Sequence, residues 1–121
     1  MAEKEHIPEP ALAIVNARVW TGDPRRPWAD AVLVRGDAVA GIGSSAEIRK
    51  RAGAGALVID ARGMLVSTDA GAGVIAAGMP ANLVVIDRAR VEAEAPDDEI
   101  VLRLASGKVV VDRDSWVARE Q

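Results

Sequence analysis

The chain has 121 residues, 50% of them hydrophobic and 27% charged, which is enough for one folded domain but too short for a large catalytic barrel of about 250 residues. It has no cysteine and a single histidine, His6, which excludes disulfides, thiolate metal sites and histidine-based catalytic triads within this chain. The net charge of −3 gives no basic surplus, so we expect no nucleic-acid partner. No apolar run approaches the roughly 18 residues of a membrane span, so we expect no membrane partner and a cytoplasmic location.

Apolar, β-branched stretches separated by glycine turns predict a mainly β protein of about seven or eight short strands after a polar leader, 1–10. The aromatic residues are three tryptophans, with no Phe or Tyr, so Val, Ile, Leu and Ala must form the core. The turns at Gly36 and Gly107 predict tight hairpins. The predicted strands are 11–20, 31–35, 38–42, 57–60, 64–66, 83–87, 100–105 and 108–112.

One short helix is predicted over residues 46–52. Ser44 and Glu47 have the spacing of a capping box, in which the serine oxygen accepts a backbone N–H of the first turn. Gly53 ends the helix, and the basic residues of its last turn suit the negative end of the helix dipole.

These elements predict a small β-sandwich or barrel with one short helix. The glycine-containing stretch 67–73 reads as a linker between an N-terminal half, 11–66, and a C-terminal half, 74–112, of a single domain, and a polar tail, 113–121, follows. A tryptophan exposed on this domain would mark an interface. We expect three tryptophans to be packing residues: Trp20, Trp28 and Trp116.

One motif is typical of nucleotide binding. Gly41 and Gly43 lie between a predicted strand and the predicted helix, and Asp60 ends the next strand, as in a dinucleotide-binding turn whose acidic residue accepts a ribose hydroxyl. The helix is shorter than a usual crossover, and hairpins occupy the place of further parallel units. We therefore favour the alternative, that the glycines turn the chain into a capped helix, and keep a small nucleotide-binding module as the second hypothesis.

The order of the segments carries a further signal. Stretches 13–22, 31–43 and 58–66 resemble the N-terminal segment of metal-dependent amidohydrolases, in which Pro-Gly and a His-x-His metal motif come next. In this chain Ser67-Thr68-Asp69 stands at that point. Stretch 73–87 resembles the segment that follows the catalytic barrel in that family, with Asn82 in place of the usual acid. Stretch 98–111 resembles the closing hairpin of the family.

The resemblance implies a composite β-sandwich domain whose two halves flank a barrel that is missing here. In that family the barrel carries the divalent metal, such as zinc, and hydrolyses carbon–nitrogen bonds other than peptide bonds. We therefore expect a non-catalytic domain with no catalytic residue, metal ligand or cofactor of its own. An apolar face left uncovered would recruit a second copy of the chain or a separately encoded barrel.

Overall fold

The computed structural model describes residues 11–69, 73–87 and 100–113, so the predicted leader with His6, and Trp116 in the predicted tail, lie outside the described residues. Within these ranges the chain forms ten strands and one helix. In chain order they are β1 Leu12–Val15, β2 Arg18–Trp20, β3 Trp28–Ala29, β4 Ala31–Arg35, β5 Ala38–Gly43, α1 Ser45–Ala52, β6 Leu57–Asp60, β7 Leu65–Thr68, β8 Leu83–Ile86, β9 Ile100–Ala105 and β10 Lys108–Asp112.

The strands build two sheets. Sheet A has the order β5-β4-β1-β6, and sheet B has the order β10-β9-β8-β7-β2-β3. The prediction of a mainly β fold with one short helix is confirmed. A sandwich or a barrel was predicted, and the described strands form two sheets and no closed barrel.

The stretch 11–20, predicted as one strand, is divided between the two sheets. β1 ends at Val15 and β2 begins at Arg18. Between them Asn16 has a φ of 54°, a left-handed conformation that asparagine tolerates better than most residues. This local change of direction sends β1 into sheet A and β2 into sheet B, and apolar alternation alone does not reveal it.

Two other connections cross between the sheets at the same place, through Asp30 and through residues 61–64. The Gly63 N–H donates to the Asn16 carbonyl at 2.7 Å, and the Ala17 N–H donates to the Asp30 carbonyl at 2.9 Å. β1 pairs in parallel with β6, and β2 pairs in parallel with β7. The segment from β1 to β2 and the segment from β6 to β7 therefore change from sheet A to sheet B side by side. Residues 16–17, 30 and 61–64 are called the crossing corner below.

The sheets enclose an aliphatic core that contains residues of both predicted halves, among them Ile14, Val19, Leu83 and Leu102. A second, smaller cluster lies on the other face of sheet A, where Ile48 of α1 packs on that sheet. The outer cluster consists of Ala11, Ala13, Val15, Ala31, Leu33, Ile48 and Ala52.

Most local predictions agree with the structure. Both hairpins form, and the helix begins one residue earlier than predicted, at Ser45. Ser67 and Thr68, the first two residues of the predicted linker, instead continue β7 and pair with Val84 and Leu83. β3 was not predicted because it has only two residues and follows Pro27. Extra strands thus arise where one stretch is divided and where a short edge strand pairs with its neighbour.

Candidate functional site

Gly41 and Gly43, the glycines of the predicted nucleotide-binding turn, lie on β5 and face the helix. On the neighbouring strand β4, Gly41 pairs with Leu33 and Gly43 pairs with Ala31, and both partners belong to the cluster beneath α1. A Cβ atom on Gly41 would meet the guanidinium of Arg51.

On Gly43 a Cβ atom would meet the carboxylate of Glu47. Helix side chains therefore occupy the space beside both glycines, and close packing of α1 on β5 accounts for glycine at each position.

The N-terminus of α1 is bonded within the protein. The Ser44 hydroxyl oxygen accepts the Glu47 N–H at 3.1 Å, as predicted for the cap, and the Ser45 hydroxyl oxygen accepts the Asn16 N–H at 2.8 Å. The second of these bonds joins the first helical turn to the crossing corner. The sequence did not predict the second bond because it joins residues 29 positions apart.

Asp60 is the last residue of β6, and β5 ends at the same end of sheet A. However, β4 and β1 lie between β5 and β6. Three strand spacings separate β5 from β6, about 14 Å, whereas the nucleotide fingerprint brings its acid from an adjacent strand. The exposed Asp60 carboxylate accepts the Arg62 N–H at 2.9 Å. The site formed by Gly41, Gly43 and Asp60 stays a prediction.

Hydrogen bonding lowers the pKa of Asp60. The backbone N–H of Arg62 has the largest effect, and the side chain of Asn16 adds a second one, so the pKa lies below its ordinary value of 3.8. Asp60 is thus a charged group that stabilises a turn of the crossing corner.

Metal ligands were sought among the His, Cys, Asp and Glu side chains of the described ranges. No group of three or more of them is placed to hold a metal ion there. These residues do not fit the divalent metal that the family resemblance implies for a catalytic barrel, and no reaction step is derived through one.

A cleft of about 410 Å³ lies where the two predicted halves meet, and we call it the junction cleft. The Asp69 N–H donates to the Asn82 carbonyl at 2.9 Å, and the Asp69 carboxylate lies 3.4 Å from the Arg103 guanidinium. Val74 and Met79 are exposed on its wall. The full lining is Thr68, Asp69, Gly73, Val74, Met79, Pro80 and Asn82.

A second surface feature consists of Arg18, Trp20 and Trp28, and we call it the tryptophan patch. Trp20 and Trp28 are each 44% exposed, so the prediction that these two are packing residues is wrong. Val19, between Arg18 and Trp20, is fully buried. The alternation of exposed and buried residues along β2 therefore turns its tryptophan outward, a signal already present in the sequence 18–20.

The one helix of the described ranges has eight residues, and no helix there is long and apolar enough to cross a membrane.

Parts of three solved structures are similar to this chain. An uncharacterized metal-dependent hydrolase from Pyrococcus furiosus is 22% identical at a TM-score of 0.45, over 49% of this chain and 13% of that chain. Another from Pyrococcus horikoshii OT3 is 18% identical at a TM-score of 0.43, over 49% of this chain and 12% of that one. Enamidase, described as a new member of the amidohydrolase superfamily, is 34% identical at a TM-score of 0.41, over 49% and 16% of the two chains.

The matched part therefore spans 12 to 16% of the length of these three proteins. It also covers less of this chain than the stretch 11–112 that carries the sequence resemblance. No protein-family profile and no curated protein matches the sequence.

Proposed function

We propose that this chain is a non-catalytic composite β-domain of the amidohydrolase type, whose two halves close on each other without the catalytic barrel between them. The pairing of β7 with β8 supports this proposal. Leu65 lies opposite Ile86, and Thr68 lies opposite Leu83, in a regular antiparallel register. These strands belong to the segments that resemble the family's entry into the barrel and its exit from it.

Strands that lead into and out of an inserted domain must lie side by side if the parent domain is to remain whole. β7 and β8 meet this condition, because Asp69 and Asn82 are still joined by a backbone hydrogen bond at the end of the ladder. The stretch between Asp69 and Gly73 could then be replaced by a long insertion without breaking a pair of sheet B.

The core supports the same proposal. β2, β3 and β7 from the N-terminal half form one side of sheet B, and β8, β9 and β10 from the C-terminal half form the other. Val66 and Val85 are both buried in the shared cluster. Neither half would bury its apolar face alone, so the two halves fold as one domain.

In this proposal the domain carries out no reaction, and the alternative is that it is an assembly partner of a catalytic barrel. A barrel encoded separately would dock at the junction cleft, where Val74 and Met79 present apolar surface beside Asp69. Hydrolysis of carbon–nitrogen bonds by a metal-activated water would belong to that barrel.

The proposal is tested by incubating the metal-free chain with zinc and assaying hydrolysis of N-acyl amino acids and cyclic amides. We expect neither stoichiometric zinc binding nor turnover. His6→Ala is the matched control, since His6 is the only histidine and any zinc it holds would be lost. Stoichiometric zinc together with turnover would overturn the proposal.

A further inference from the structure

The tryptophan patch concentrates aromatic surface at one edge of sheet B. Trp20 and Trp28 pair across β2 and β3 in a T-shaped contact with ring centroids 5.0 Å apart. The Arg18 guanidinium lies 4.8 Å from the centroid of the Trp28 ring. The patch thus combines the two residue types, Trp and Arg, that most often dominate the binding energy of protein interfaces.

The core does not need these tryptophans. Their strand neighbours Val19 and Ala29 face the interior and are buried, so β2 and β3 are already anchored. The chain has only three aromatic residues, and two of them form this exposed pair. Placing them in water is unfavourable unless another surface covers them.

The charges beside the patch indicate what covers it. Arg18 begins β2, Asp30 directly follows the end of β3, and both residues are exposed. Within the described part of the chain neither has an ion pair. A surface that carries a cation on β2 and an anion next to β3 is complementary to itself, as an interface between identical copies requires.

Pairing of two β3 edges is not favoured, because β3 has two residues and Pro27, just before it, has no N–H to donate. The outer faces of β2 and β3 are therefore the surfaces available for contact.

We propose that two copies of this chain pack these faces together about a twofold axis that runs parallel to the strands, between β2 and β3. β2 of one copy then lies over β3 of the other. Arg18 faces Asp30 of the partner subunit, Trp20 faces Trp28 of the partner subunit, and each contact occurs twice. This inference does not depend on the proposed function.

Sedimentation velocity of the purified chain from about 1 µM to about 1 mM tests the inference. We expect a reversible monomer–dimer equilibrium that Trp28→Ser abolishes. Val110→Ser is the matched control, because Val110 is 56% exposed at the opposite edge of sheet B, and this variant should dimerise normally. A monomer at all concentrations, or equal loss in both variants, overturns the inference.

A charge exchange tests the orientation of the two copies. Arg18→Asp and Asp30→Arg should each weaken the dimer by about tenfold or more, and the double variant should restore it. Lys108→Asp changes the net charge as Arg18→Asp does, but on β10, and should have no effect. Thermal unfolding checks that each variant is folded. If the double variant dimerises no better than the single ones, the proposed interface is wrong.

Discussion

The guanidinium of Arg51 occupies the space above Gly41 that any side chain at position 41 would need. Its Nη2 donates to the Ala40 carbonyl at 3.2 Å, which joins the last turn of α1 to β5. Gly41, which belongs to the predicted nucleotide-binding turn, thus leaves room for a contact between a helix and a strand. Each partner of this contact can be removed separately, which leads to the first prediction.

Gly41→Ala should lower the free energy of unfolding by about 1 kcal/mol, because the new methyl group displaces Arg51 from the Ala40 carbonyl. In an Arg51→Ala background the same substitution should be neutral or slightly stabilising, since alanine loses less backbone entropy than glycine in a strand. Urea unfolding of the four proteins measures the coupling. Equal effects in both backgrounds would show that Arg51 is not the obstacle.

Gly107→Ala should be much more damaging, lowering the free energy of unfolding by about 2 kcal/mol or more. Gly107 has a φ of 80°, and a Cβ there would meet the backbone carbonyl of Gly36, which cannot rotate away as a side chain can. Gly53→Ala is the control: its φ is 78°, but no atom lies within 4 Å of the added Cβ. A similar loss in both variants would mean that backbone conformation, and not the contact, determines the effect.

Asp60 should make stability depend on pH in the acid range. Its pKa is lower in the folded chain than its ordinary value of 3.8, so its stabilising effect is present above pH 3.8 and is lost as pH falls through the folded-state pKa. The stability difference between the natural chain and Asp60→Asn should therefore be constant near neutrality and shrink below pH 3.8. Urea unfolding at several pH values measures it, and a difference that persists unchanged at about pH 2 would contradict this assignment.

The stretch between Asp69 and Gly73 should accept a long insertion. A flexible Gly/Ser segment of about 15 residues should lower the free energy of unfolding by only about 1 kcal/mol, because the ladder between β7 and β8 stays intact. The same segment between Ser106 and Gly107 should be more disruptive, since their φ values of 49° and 80° form the tight turn that sets the register of β9 and β10. The reverse order of tolerance would contradict the composite-domain proposal.

Calorimetric titration with NAD and with ATP separates the two hypotheses for Gly41, Gly43 and Asp60. We expect no binding heat at about millimolar ligand, because side chains of α1 fill the space beside both glycines. Binding that is lost in Asp60→Asn would instead support the nucleotide-binding module.

Features that depend on neighbouring residues could be predicted from the sequence. The cap at Ser44 and the hairpin turn at Gly107 each need only a few consecutive residues, and both form as predicted. The sequence also allows a prediction that Trp20 points outward, because Val19 beside it is the more favourable residue to bury. Residue type alone predicts that Trp20 and Trp28 are packing residues, and it does not take into account their position in the alternation.

Only the tertiary structure decided where the chain changes sheet at the crossing corner. The sequence determined that the chain would be mainly β with an aliphatic core, because composition and alternation fix what can be buried. It did not determine that Asn16 would separate two sheets, or that β1 would pair in parallel with β6. Alternation is the same whichever sheet a strand joins, so the choice was made by backbone pairing between distant segments and by the one core that the two sheets bury together.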